Sequence, residues 1–148
     1  HDLTLSVGLG TFRPIETERV DDHPMHGETY VLPPAAKAAL REPGPPRLAV
    51  GTTTVRAIEH HLVQGEDADQ EASTLAEADL FIRPPYSFRG VDALLTNFHL
   101  PGSTLLCLVA AFLQTNGNDG LKLLKDLYAQ ALDNDYRFYS YGDAMLAL

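Results

Sequence analysis

The sequence predicts an α/β fold: a mainly parallel sheet flanked by helices, with ligand loops at the carboxyl ends of the strands. Three observations predict it. Short strand-like segments alternate with helix-like ones along the chain. Two of the strands, "RLAVG" and "VDALLTNF", are largely apolar, as in strands covered on both faces of a parallel sheet. Each of those two gives way to a short loop of Gly, Thr, Asn and Ser that opens a helix. With 148 residues, 45% of them apolar, one domain over residues 1–148 can fill its own core.

Taken in order, "LTLSVG" alternates like a strand and ends in a turn at Gly8, Leu9 and Gly10. "TYVLPPAAKAAL" passes from an extended piece into a helix, whose first turn accommodates Pro33 and Pro34. Pro43, Pro45 and Pro46 stop that helix, and Gly44 favours a turn. After "RLAVG" comes a helix with Val55, Ile58 and Leu62 on one side, which Gly65 ends. Residues 65–79 carry six carboxylates and no base, the composition of a solvated loop. "DLFI" and "VDALLTNF" supply two further strands. The helix after Pro101 is apolar all round and should be buried. "LKLLKDLYAQAL" is amphipathic: Leu121, Leu124, Leu127, Tyr128 and Leu132 form the core face, and Lys122, Lys125 and Asp126 the wet one. The last segment, "YRFYSYGDAMLAL", is aromatic, with a turn at Gly142 and Asp143.

Composition narrows the function. A net charge of -9 excludes a general nucleic-acid coat protein, so any contact with nucleic acid must be local. The longest apolar run, residues 105–113, is far short of the roughly 20 residues a membrane span needs, and no membrane partner is expected. The first residues lack the pattern of a secretory signal, and the chain has no starting Met, so it reads as a processed, truncated or fragmentary product. The single cysteine, Cys107, cannot form an internal disulfide, which fits a reducing cytoplasm, and it is assigned to the core.

The chemistry-bearing residues gather at the loops. Helix N-termini at the two strand-to-helix junctions offer unpaired N–H groups and partial positive charge to a carboxylate or phosphate. Taken singly, Thr52, Thr53, Ser103 and Thr104 read as helix caps. Capping leaves Asn97 and His99 unassigned. Neither loop is a G-x-G-x-x-G or Walker pattern, so generic nucleotide binding is weakly signalled. In "GLGTFRP", a tight turn and an Arg13 clamp for an anion are equally good readings. "DDHPMHGE" brings His23, His26 and Glu28 together. A zinc site there lacks supporting ligands and no metal is expected, whereas an imidazole beside a carboxylate also serves as an acid–base pair. His60 and His61 read as solvent-facing or satisfied structural residues. The tyrosines of "YSYGD" suit either aromatic packing or stacking of a base.

Together, "VGLGTFRP", "MHGE", "AVGTTTVRAIE", "DLFIRPPYSF", "VDALLTNFHLPGSTLL" and "YRFYSYGDAML" resemble, in order and approximate spacing, the S-adenosylmethionine:tRNA ribosyltransferase-isomerase family of queuosine biosynthesis. The resemblance covers essentially the whole chain, and it is to the C-terminal portion of that family. The family's N-terminal region and β-rich inserted domain have no counterpart here. Four positions depart from the usual pattern: Ala76 and Ala78 stand for Gly and Thr, Gly27 for Ser, and Gly102 where Lys is common, which would remove a positive charge near bound nucleic acid.

The resemblance implies a cytoplasmic enzyme, expected to be a monomer. It would use S-adenosylmethionine as a ribosyl donor, without a metal, on tRNA carrying 7-aminomethyl-7-deazaguanine at the wobble position. The products would be epoxyqueuosine-tRNA, adenine and methionine. Such chemistry needs a base near the ribose carbon that the sulfonium acidifies, a proton donor for departing adenine, and a hold on the methionine carboxylate. His99 and His26 are the candidates for proton transfer, with Glu28 or Asp143 orienting them or serving instead. Arg13 or Arg56 would hold the carboxylate or a tRNA phosphate. Gly10, Thr11, Gly51, Thr52, Thr53, Asn97, Thr104 and Tyr141 complete the expected substrate-binding set. A second reading is a truncated, non-catalytic fragment that binds S-adenosylmethionine or tRNA.

Overall fold

Two-residue alternation builds the first sheet of this chain, whose computed structural model describes residues 1–65, 69, 71–114 and 118–148. Strand β1 (Thr4–Ser6) leads into a 3-10 turn at Leu9–Phe12. Strand β2 (Glu28–Leu32) buries Glu28, Tyr30 and Leu32, every second side chain, and leaves Thr29 exposed between them. The chain then enters α1 (Pro34–Arg41) through Pro33, whose missing N–H costs nothing at a helix start. After β3 (Leu48–Val50), α2 (Thr52–Gln64) runs to Gly65. Strand β4 (Thr74–Ala78) returns to pair with β2, giving an antiparallel sheet in the order β1-β2-β4.

The second sheet has the order β3-β5-β6, where β5 is Ala93–Asn97 and β6 is Ala144–Ala147. β3 and β5 are parallel; β6 lies antiparallel on the other side of β5. The mainly parallel sheet expected from the sequence is therefore corrected to two three-stranded sheets with one parallel pair among their four ladders. A parallel pair needs a long crossover, here the chain carrying α2, and β4 leaves that crossover to fill the edge of the other sheet. The apolar run of β3 is not covered on both faces either. It is an edge strand, with Leu48 53% and Val50 63% exposed.

Other local expectations shift for physical reasons. Residues 79–82, "DLFI", form no strand, although Ile82 is buried in irregular backbone. The strand forms one step earlier, because Thr74, Ala76 and Ala78 turn inward while Leu75 and Glu77 face out. It thus occupies part of the segment read as a solvated loop, of which residues 66–68 and 70 lie outside the described residues. α3 (Thr104–Leu113) is largely buried, as its composition requires, while Cys107 is only half-buried. α4 (Gly120–Asp133) presents a narrower stripe than expected: Leu124 and Ala131 are buried, but Leu121 and Leu132 are exposed. Of the two readings of His60 and His61, the structural one holds: both are buried, and the His60 Nδ1 lies 3.1 Å from the Tyr30 hydroxyl.

α2 sits between the two sheets and supplies both cores. Val55 packs with Ala49, Leu94, Leu108 and Val109, while Ala57 packs with Tyr30, Leu32, Ala36 and Ala78. Glu59, fully buried on the same helix, accepts the Arg89 and Gly90 N–H groups at 2.9–3.0 Å and the Tyr86 hydroxyl at 3.2 Å. Among the described residues, no helix is long and apolar enough to cross a membrane.

Candidate functional site

Gly51 places the first junction loop. Its φ of +91° is open to glycine and strained for side-chain-bearing residues, and its N–H donates to the Leu95 carbonyl at 2.8 Å, binding the start of α2 to strand β5. Thr52 begins the helix and is buried; Thr54, not Thr52 or Thr53, returns a hydroxyl bond to the Val50 carbonyl. At the second junction Ser103 is the cap of α3, accepting the Leu106 N–H at 3.3 Å while donating its hydroxyl to the Leu100 carbonyl. Both loops follow the carboxyl ends of the parallel pair β3 and β5 and so open on the same side of that sheet. Thr52, Thr53, Arg56 and Thr104 line one narrow crevice between them.

The other motifs are drawn to the same place. The Ile15 N–H donates to the Gly102 carbonyl at 2.8 Å, and Pro14 bridges Ser103, which ties "GLGTFRP" to "HLPGST". Arg56 leaves α2 to form an ion pair with Glu28 of β2, both side chains being buried. Two residues expected to serve in catalysis and binding are thus partners of each other. Arg56 lines the crevice, and Glu28 lines a neighbouring cavity of about 260 Å³ with Gly8, Gly10, Thr11, Arg13, His26 and Gly27.

That cavity is chemically uncommitted. Thr11 is 4% exposed and its hydroxyl has no partner among the described residues, a cost a ligand could relieve. Arg13 and His26 are exposed, and their side chains likewise carry no ion pair or hydrogen bond within the described residues. The turn lies close against the imidazole, since a Cβ on Gly10 would stand 2.7 Å from the His26 ring. A Cβ on Gly27 would overlap the carboxylate of Glu77, which reaches across from β4.

His99, Asn97, Asp143 and Tyr141 form a different group beyond the end of β5. The His99 Nε2 lies 2.9 Å from the Thr96 hydroxyl, and its backbone N–H donates to the Tyr128 hydroxyl at 2.7 Å. Burial pushes the His99 imidazole down to about 4, so it is neutral at pH 7. The Asn97 amide donates to the Asp143 carbonyl at 2.9 Å, giving it a partner within the protein. The Asp143 carboxylate accepts both Arg137 Nε and Nη2, and those hydrogen bonds hold it below its ordinary value while raising Arg137. Tyr141 is 69% exposed on this pinned turn, which is also held by the Tyr139 N–H on the Phe98 carbonyl.

The structure therefore brings Gly10, Thr11, Arg13, His26 and Glu28 to one cavity and connects the crevice of Thr52, Thr53, Arg56 and Thr104 to it through the Glu28–Arg56 pair, while Gly51 lines neither and serves as the N-cap of α2. His99, Asn97 and Asp143 have their partners elsewhere, and Tyr141 stands exposed on its turn. Glu77 and Tyr128 reach these groups without a motif of their own, while Thr96 opens the "TNFHLPGSTLL" stretch with no role assigned from sequence. The sequence signal closest to either of the first two is the alternation of "TLAEA", which turns Glu77 away from the core.

This α/β arrangement with its converging loops belongs to a defined class: a family model described as queuosine biosynthesis protein matches residues 1–147, and the chain belongs to that family. More particularly, it is similar to S-adenosylmethionine:tRNA ribosyltransferase-isomerases. That of Cupriavidus metallidurans is 49% identical over 147 residues, 97% of this chain and 39% of the relative. That of Chlorobaculum parvum is 48% identical over 146 residues, covering 41% of its own length. The crystal structure of an S-adenosylmethionine tRNA ribosyltransferase from Thermotoga maritima superposes with a TM-score of 0.67 at 44% identity, over 82% of this chain and 41% of that one. The chain thus spans about two-fifths of the length of these relatives.

Proposed function

We propose that this chain takes part in transferring and isomerising the ribosyl group of S-adenosylmethionine onto 7-aminomethyl-7-deazaguanine in tRNA, in the cytoplasm, giving epoxyqueuosine-tRNA, adenine and methionine. The observation that carries this reading is the convergence of four separate motifs, "GLGTFRP", "MHGE", "GTTTVR" and "HLPGST", through the Glu28–Arg56 pair and the contacts of residues 14–15 with 102–103. Helix capping alone has no reason to assemble them.

The cavity suits one end of the donor. At about 260 Å³ it is smaller than the roughly 300–1,000 Å³ typical of a whole small-ligand site, and so fits the aminobutyrate arm rather than all of S-adenosylmethionine. Arg13, free and exposed, grips the carboxylate as a planar fork of donors, and the buried Thr11 hydroxyl gains its missing partner. His26 is the proton-transfer group in this cavity: an unengaged imidazole can take the proton from the ribose carbon beside the sulfonium. Glu28, committed to Arg56, fixes the start of β2, two residues after His26. The base amine then forms a carbon–nitrogen bond to the ribosyl carbon that gives up adenine, which leaves with a proton. A ribosyl oxygen closes the epoxide on the carbon that bore sulfur, breaking the carbon–sulfur bond and freeing methionine as a neutral thioether. His99, held neutral, and Tyr141, displayed on its turn, serve the tRNA side, Tyr141 by stacking.

The test is adenine release from S-adenosylmethionine in the presence of tRNA carrying the aminomethyl base. Release that disappears in His26→Ala supports the assignment. Heat on titration with S-adenosylmethionine but no adenine establishes the second reading, a binding fragment. No heat and no adenine overturns both.

A further inference from the structure

Three residues between α4 and β6 stand in the left-handed region of the backbone, and one of them is a poor type for it. Asp135 has φ +57° and Gly142 φ +109°, angles that aspartate and glycine tolerate. Tyr139, at φ +63°, carries a Cβ that crowds the following carbonyl. No hydrogen bond or ring contact of its side chain holds it there. Phe138, just before it, packs on Phe98 and Tyr128 with ring centroids 5.3 and 5.5 Å apart. The Tyr139 ring meets no other ring among the described residues, its hydroxyl has no partner there, and the residue is 43% exposed. Tyr141 is equally unengaged.

Backbone and a salt bridge hold the strained residue instead. The Tyr139 N–H donates to the Phe98 carbonyl at 2.8 Å. On either side of it, the Arg137 N–H, Nε and Nη2 all donate to the Asp143 carboxylate, and the Asp143 carbonyl accepts the Asn97 amide. Ala144 faces Asn97 in the antiparallel ladder of β6 on β5, so this braced turn lies beyond the carboxyl end of β5, where both junction loops also open.

A rigid turn beside the candidate site that keeps two tyrosines unengaged, one of them against its backbone preference, is built to display their rings. We infer that Tyr139 joins Tyr141 in a stacking platform for unpaired bases of the tRNA anticodon loop, next to the base that reacts. This rests on the reading of tRNA as the acceptor. Stacking relies on the π-face that every base carries, which suits a chain of net charge -9 whose contact with nucleic acid must be local.

Fluorescence anisotropy with a labelled anticodon stem–loop RNA tests it, with calorimetry on S-adenosylmethionine as the control. Tyr139→Phe should keep the parent's RNA affinity within about twofold, since the ring remains. Tyr139→Ala and Tyr139→Gly should each weaken RNA binding roughly tenfold, the loss of one stacked base, and leave S-adenosylmethionine binding unchanged. Tyr139→Gly should also melt above Tyr139→Ala, because glycine escapes the strain. Four outcomes overturn the inference: Ala and Gly variants that bind RNA as tightly as the parent, a Phe variant as weak as Ala, variants that lose both ligands together, or an Ala variant that melts above Gly. A parent chain that binds S-adenosylmethionine but no RNA refutes the tRNA reading itself.

Discussion

The Arg56 guanidinium and the Glu28 carboxylate form a buried ion pair that joins α2 to the first residue of β2 and thereby connects the two sheets beside the candidate site. Desolvating two charges is costly, and the attraction offsets that cost only while both are present. Glu28→Ala and Arg56→Ala should each destabilise the fold by about 3–5 kcal/mol. The double replacement Glu28→Leu with Arg56→Met should recover most of that loss, because no lone charge is left buried. Urea unfolding of the three variants measures this; additive losses in the double variant would show that the two groups do not act as a pair.

His99 makes stability depend on pH in a definite direction. Its native pKa is lowered from 6.5 to about 4, so between those values the unfolded chain binds a proton that the folded chain does not. Its effect is absent above pH 6.5, and stability falls as pH drops from 6.5 toward 4, by on the order of 3 kcal/mol for this residue. The parent-minus-variant difference in unfolding free energy for His99→Gln should therefore change across this window and be flat from pH 7 to 8. An identical pH dependence in parent and variant would refute the assignment.

Tyr86 reports on the buried carboxylate of Glu59. Burial first, and then the Glu59 charge and hydrogen bond, push the phenol up to about 12. Its neutral form is favoured by the fold, so its stabilising contribution is complete below pH 10 and is lost as pH rises toward 12. Burial raises Tyr128 as well, so ultraviolet titration should find more than one tyrosine ionising late, and Glu59→Gln should move the Tyr86 transition alone back toward 10. If the Tyr86 transition persists unchanged in Glu59→Gln, burial alone sets it.

Much of the element order was legible because its signals are local. Pro34 at the start of α1, Gly51 and Gly65 at the two ends of α2, Ser103 at the cap of α3 and the all-round apolar composition of α3 act within a few residues of where they stand. Strand direction was not legible. The residues of β2, β4 and β6 have the same alternation whichever way the partner runs, and β4 was hidden inside an acidic segment whose charge masked its inward Thr74, Ala76 and Ala78.

The sequence alone determined the family, the two junction loops and the residues able to do chemistry, because motifs and caps are written in consecutive positions. Only the tertiary structure decided who meets whom. It joined Arg56 to Glu28 across 28 positions, set His26 beside Thr11 and Arg13, and engaged His99 with Thr96 and Tyr128. It also laid Glu77 against Gly27 through the register of β4 on β2. Such meetings depend on pairing and packing between distant segments, and distant pairing leaves no local mark in a chain.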